Sequence, residues 1–260
     1  MITIVGDTEI AFDDIGSGLP VVFLHAFPLN RTMWEPQIGA FVGECRCIPI
    51  DCRGLGESAA APPYSMDGYA DDVAGVLDTL QIERAVVVGL SMGGYIAFAF
   101  WRRHRHRVRA FVLSDTRAVA DTIESVAKRR ELIEIAETQG SAGVANAQIA
   151  ELISPSTRDK RPDTYDAMHR MIAQAPADGI IGAIEAMIER PDSTPTCRTI
   201  DVPTLVIVGE EDAVTPTADA RAIHSAIAGS RLEIIGQAGH LSNVERPAAF
   251  NTVVGEFLAT

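Results

Sequence analysis

The sequence predicts a mostly parallel α/β fold. The expected form is an eight-stranded sheet with helices on both faces and a helical lid inserted after the sixth strand. Three observations carry that expectation. Short β-branched runs recur along the chain, most of them bounded by turn residues. Stretches of helical period lie between them. The alternation stops over residues 117–200, where no strand run occurs, and resumes at Val202.

The elements follow in order. ITIV (2–5) and EIAF (9–12) alternate partly and meet at Gly6-Asp7, which predicts a β-hairpin. VVFLH (21–25) follows Pro20, and RCIPI (46–50) precedes Asp51. Residues 67–80 place Tyr69, Val73, Val76, Leu77 and Leu80 on one helical face, with Asp67 as the expected N-cap. AVVVG (85–89) is the next strand, and a helix over 92–103 follows Ser91. AFVLS (110–114) closes the first half at Asp115. Within 117–200 four helices are expected, at about 121–138, 141–153, 162–173 and 177–189, punctuated by prolines. TLVIV (204–208), a helix over 217–228 after Pro216, and LEII (232–235) complete the pattern. Residues 1–116 and 201–260 are therefore expected to form the core, and 117–200 the lid.

Charge and composition narrow the partners. The 260 residues hold 22 Lys+Arg against 35 Asp+Glu, a net charge of −13. This opposes nucleic-acid binding and docking on an anionic membrane. The basic run RRHRHRVR (102–109) is expected to be a helix C-terminus, where cations offset the dipole. Cys45, Cys47, Cys52 and Cys197 fit neither a C-x-x-C nor a zinc pattern, so reduced thiols in a cytoplasmic protein are expected. The N-terminus lacks the pattern of a signal peptide, and no apolar run has the length of a membrane span.

The strongest chemical signal is Gly89-Leu90-Ser91-Met92-Gly93, a G-x-S-x-G between a buried strand and a helix. So tight a turn requires small neighbours and lifts the Ser91 hydroxyl above the sheet. It also aims the Met92 N–H at the same space. A serine hydroxyl needs a base. His240, just after the last strand, is the best placed of the six histidines; His25 follows the third strand and is expected to act differently. An orienting carboxylate is then needed. Asp212 in GEEDAVTP (209–216) is the best fit, with Glu210 and Glu211 solvated and Asp115 as the alternative. A second oxyanion donor is expected from the Phe27 N–H in HAFP (25–28). In DCRGLGES (51–58), Asp51 and Arg53 are expected to tie the turn, with Gly54 and Gly56 taking unusual backbone angles. No cofactor or metal is implied.

Together these motifs resemble the α/β-hydrolase superfamily over the whole chain. The resemblance implies a Ser91–Asp212–His240 triad with backbone oxyanion donors at Phe27 and Met92. A serine at the elbow separates the chain from the haloalkane dehalogenase and epoxide hydrolase branches, which use aspartate there. The lid and the segment RPDSTPTCRTIDVPTLVIVGEEDAVTP resemble the branch of 3-oxoadipate enol-lactonases and related small esterases. The chain departs from the usual His-Gly-x-Pro at Ala26. The implied activity is hydrolysis of small carboxylic esters. A lactonase, a cofactor-free haloperoxidase-like perhydrolase and a binding protein on the same fold are the rivals. A lactonase for an acidic substrate needs a cation in its pocket, for which Arg117, Arg129, Arg130 and Arg170 are candidates. Met168, Met171 and Met187 are expected to be packing residues, with an acyl pocket as the alternative. A monomer or a homodimer is expected, with a small-molecule ester or lactone as the partner.

Overall fold

The computed structural model covers residues 1–260. Its strands are β1 (Ile2–Val5), β2 (Thr8–Ala11), β3 (Ile15–Gly16), β4 (Leu19–Leu24), β5 (Cys45–Ile50), β6 (Ala85–Leu90), β7 (Val108–Ser114), β8 (Thr204–Gly209) and β9 (Arg231–Ile235). Its helices are α1 (Glu35–Phe41), α2 (Met66–Thr79), α3 (Met92–His104), α4 (Ile123–Leu152), α5 (Pro155–Lys160), α6 (Pro162–Ala173), α7 (Ala177–Ile188), α8 (Thr194–Cys197), α9 (Thr217–Ala226), α10 (Ser242–Glu245) and α11 (Pro247–Leu258). The main sheet runs β3-β5-β4-β6-β7-β8-β9, parallel except for β3.

The sheet thus has seven strands, not eight. β1 and β2 form a separate hairpin, joined to the sheet by the single bridge of Phe12 to Ile50. The hairpin lies on α2 instead of extending the sheet. Val5 packs so closely there that a Cβ at Gly75 would come within 2.5 Å of its methyl groups. β3 has only two residues and no apolar run, so nothing in the sequence pattern announced it.

All six residues of β6 are buried between β4 and β7, as a central parallel strand requires. The chain goes from β4 outward to β5, then crosses back to β6 on the other side of β4. The strand order therefore reverses between β4 and β6. In open α/β sheets the crevice at the carboxyl end of such a reversal is where ligands bind. His25 to Pro28 and Ser91 both emerge there.

The helices agree closely with the periodicity, and two details differ. Ser65, not Asp67, caps α2, accepting from the Gly68 N–H at 2.9 Å; Asp67 lies in the first turn and faces Arg102. The two helices expected around residue 140 form one run, broken at Gly140 with φ 66° and ψ −168°, a conformation open essentially to glycine alone. Five helices lie outside the expected set: the short α1, α5, α8 and α10, and the C-terminal α11, in which Phe250, Val254 and Phe257 are buried at helical spacing.

The helices α4 to α8 lie between β7 and β8. Their stem is fixed by charge. Asp121 accepts from Arg129 at 2.5 Å and from Arg190 at 2.8 Å, all three side chains being largely buried. The Arg190 guanidinium lies 4.2 Å over the Tyr95 ring on α3. No single helix is long and apolar enough to cross a membrane.

Candidate active site

The turn after β6 forces Ser91 into φ 56° and ψ −112°, a strained backbone for a residue with a side chain. Such a conformation costs about 1–3 kcal/mol and persists only where the surroundings hold it. Here the Ser91 N–H donates to the Ser114 carbonyl at 2.9 Å, and the Ser91 carbonyl accepts from Thr116 Oγ1 at 2.8 Å. The glycines around it leave no room for a side chain. A Cβ at Gly89 would meet the Gly93 carbonyl oxygen at 2.3 Å, and one at Gly93 would meet that of Leu24 at 2.2 Å.

The loops after β8 and β9 are sewn together. Glu210 N–H donates to the Ile235 carbonyl, and Glu211 N–H to that of Ala238 at 2.8 Å. This brings Asp212 and His240 face to face. His240 Nδ1 is 2.9 Å from Asp212 Oδ2, and its Nε2 is 2.8 Å from Ser91 Oγ. An ionised carboxylate only accepts, so the network assigns the proton to Nδ1 and leaves Nε2 free to accept from Ser91. Asp212 is itself held by N–H groups of Val214 (2.8 Å) and Thr215 (2.9 Å) on Oδ1 and by the Thr215 hydroxyl (2.7 Å) on Oδ2.

Burial opposes the Asp212 carboxylate, but His240 and the Thr215 donors outweigh it and hold its pKa below the ordinary value. For His240, burial pushes the pKa down. The Asp212 charge and hydrogen bond prevail, with help from Asp115, and raise it. The three side chains are nearly enclosed: Ser91 is 8% exposed and His240 1%.

The other carboxylates are placed differently. Glu210 and Glu211 are exposed. Asp115 makes no bond to His240. It accepts from the Gly209 N–H (2.8 Å) and the Ser114 and Ser242 hydroxyls (2.6 and 2.5 Å). Burial, with the nearby Asp212 charge, pushes its pKa up to about 7. Asp115 and Thr215 thus support the site in ways the sequence reading did not foresee; the Thr-Pro after GEEDAV was the available signal for Thr215.

Two backbone N–H groups after β4 and β6 are left open. The Phe27 N–H has no hydrogen-bond partner in the protein. Met92 opens α3, so its N–H has no carbonyl four residues back within the helix. His25 has the separate role expected of it: Nε2 accepts from the Cys52 N–H and Nδ1 donates to the Ala26 carbonyl, both at 2.9 Å, which ties the ends of β4 and β5. Asp51 and Arg53 do not pair with each other. Asp51 accepts from Arg31 and from the Glu57 N–H, while Arg53 pairs with Asp72 on α2. Gly54 and Gly56 do take positive φ, 80° and 59°. The basic run ends α3, with Arg103 and His104 on Asp71 and Arg107 on Asp78.

The candidate arginines are engaged or outside. Arg117 pairs with the Val214 carbonyl and Asp219, and Arg129 with Asp121. Arg130 and Arg170 are exposed. Met168 and Met187 are core residues. Met171 borders a cleft of about 300 Å³ that also includes Leu29, Arg31 and Gln174.

A strained serine at a strand-to-helix turn, with a histidine and a carboxylate in one hydrogen-bonded line, defines a hydrolase-type site. The chain belongs to the alpha/beta hydrolase fold family, whose model matches residues 20–247. Among solved structures, it is similar to a thermophilic esterase from Thermogutta terrifontis. The two share 39% identity at a TM-score of 0.95, over 99% of this chain and 96% of that one. The enol-lactonase from Burkholderia xenovorans LB400 is 30% identical, with a TM-score of 0.94 over the whole of both chains. Among curated relatives, 3-oxoadipate enol-lactonase 2 of Acinetobacter baylyi is 32% identical over 90% of this chain and 86% of its own.

Proposed function

We propose that this protein is a carboxylesterase that cleaves small carboxylic esters through an acyl-enzyme on Ser91. The observation that carries the reading is the unbroken line Ser91 Oγ–His240–Asp212, at 2.8 and 2.9 Å. Ser91 Oγ attacks the ester carbonyl while His240 Nε2 takes its proton. The oxyanion rests on the Phe27 and Met92 N–H groups. The carbonyl re-forms, and the C–O bond to the alcohol breaks as His240 returns the proton to the leaving oxygen. A water then gives its proton to His240 and attacks the acyl carbon, releasing the acid and restoring the Ser91 hydroxyl. The helices of 117–200 serve as a lid over the strand ends, and the near-complete enclosure of Ser91 and His240 supports this.

A lactone is a cyclic ester, and the same steps open it. The enol-lactonase relatives favour that second reading. The pairing of Arg117 and Arg129 with carboxylates favours uncharged esters over an acidic lactone.

The test is hydrolysis of p-nitrophenyl acetate, butyrate and octanoate by wild type and Ser91→Ala. Turnover by wild type with a short-chain preference is expected. The variant should fold normally and lose kcat by on the order of 10⁶-fold. Full activity in Ser91→Ala would remove Ser91 as the nucleophile.

A further inference from the structure

The proposed triad leaves one fully buried carboxylate unexplained. Glu245 is 0% exposed, stands five residues after His240 and makes no hydrogen bond to any of the three triad side chains. Its Oε1 accepts from the N–H of Gly239 at 3.0 Å and from that of Leu241 at 3.3 Å, the two residues flanking His240. Its Oε2 accepts from the Ser154 N–H at 3.0 Å. Ser154 caps α5 and is the joint between α4 and α5 in the helical insertion. The other end of α5 is tied to the same turn: Arg161 Nη1 donates to the carbonyls of Glu245 (2.7 Å) and Val244 (3.2 Å). The contact is close enough to exclude a side chain between them. A Cβ at Gly239 would lie 2.8 Å from the Ser154 nitrogen and 3.0 Å from Glu245 Oε1.

A buried carboxylate is stable only where its oxygens are satisfied, and here all its named donors are backbone N–H groups from two distant segments. We propose that Glu245 is a positioning residue. It fixes the backbone on both sides of His240 and at the same time latches the insertion to that loop at Ser154. Seating of the base and docking of the insertion then share one side chain. This rests on the reading of His240 as the base. An inward movement of the insertion at Ser154 is transmitted through the carboxylate to the residues that aim His240 Nε2 at Ser91.

Glutamine separates the two halves of this role. Its carbonyl oxygen can keep the Gly239 and Leu241 N–H groups, but its NH2 then faces the Ser154 N–H, donor against donor. The experiment compares Glu245→Gln and Glu245→Ala by steady-state kinetics on p-nitrophenyl butyrate and by amide hydrogen exchange. In E245Q, exchange at Ser154 should rise about tenfold or more while Gly239 and Leu241 stay protected. Its kcat should stay within about tenfold of wild type, because the base keeps its seat. In E245A, all three amides should loosen and kcat should fall on the order of 10²-fold with KM little changed. Wild-type kcat in folded E245A overturns the proposal, as does an equal loss of kcat in both variants. If E245A does not fold, E245Q decides, and unchanged exchange at all three amides overturns the proposal. A wild type that cleaves no ester ends the reading of the site. The exchange pattern still decides whether Glu245 holds both segments.

Discussion

The turn at Ser91 and the helical insertion between β7 and β8 are built by opposite means. At the turn, backbone meets backbone. Glycines at 89 and 93 are fixed by carbonyl oxygens that a Cβ would strike at 2.3 and 2.2 Å. In the insertion, helices meet through interchangeable side chains, such as Ile180, Ile184 and Met187 on α7, and the stem is pinned by the ions Asp121, Arg129 and Arg190. The first kind of contact admits almost one residue type. The second admits any apolar side chain of about the right size. The turn is therefore written in residue identities, while the insertion is written in volumes.

The comparison can be broken at three points. The largest effect is expected at the rigid end. Asp212→Asn keeps the shape but offers His240 the wrong tautomer. It should lower kcat by about 10⁴-fold with the melting temperature nearly unchanged. A loss below tenfold would mean that another carboxylate, with Asp115 the nearest, has taken over.

The next effect falls on the insertion. Asp121→Ala leaves two largely buried guanidinium groups without their carboxylate and should cost roughly 3 kcal/mol in urea unfolding. Its kcat on p-nitrophenyl acetate should change far less than in Asp212→Asn, because the latch of Glu245 to Ser154 and Gly239 stays in place. A loss of kcat as large as that of D212N would show that stem and site are one unit.

The smallest effect is electrostatic. In the proposed mechanism only neutral His240 accepts the Ser91 proton, so kcat/KM should fall as pH falls through its pKa. That pKa is raised, so the acid limb should lie above the ordinary histidine value of about 6.5. Asp115 contributes to the rise, so Asp115→Asn should move the limb to lower pH. A limb that stays in place would show that the Asp115 charge does not reach His240.

How much was legible in advance follows from the same contrast. Ser91, His240 and Asp212 sit where turn chemistry at strand ends is nearly unique, and the structure brings all three into one hydrogen-bonded line. The break at Gly140 was legible because a glycine conformation marks it. The partners of Asp51 and Arg53 were not, since a charge shows no direction along a sequence. Asp51 chose Arg31 and Arg53 chose Asp72. The place of the first hairpin was equally hidden. Alternation predicts a strand but not which surface it joins, and Val5 against Gly75 settled that on α2.

The sequence alone pointed to the parallel sheet, to the tight turn at Ser91 and to a run of helices between the two halves of the sheet. These rest on local sterics and on hydrophobic period, both of which act between near neighbours in the chain. Tertiary structure decided which carboxylate faces His240, where the arginines find their counter-charges, and that Glu245 spans from the His240 loop to Ser154. Those outcomes depend on distances between segments as far apart in the chain as Arg117 and Asp219. Only the folded chain sets such distances, because burial drives most buried donors and acceptors to a partner wherever packing has put one.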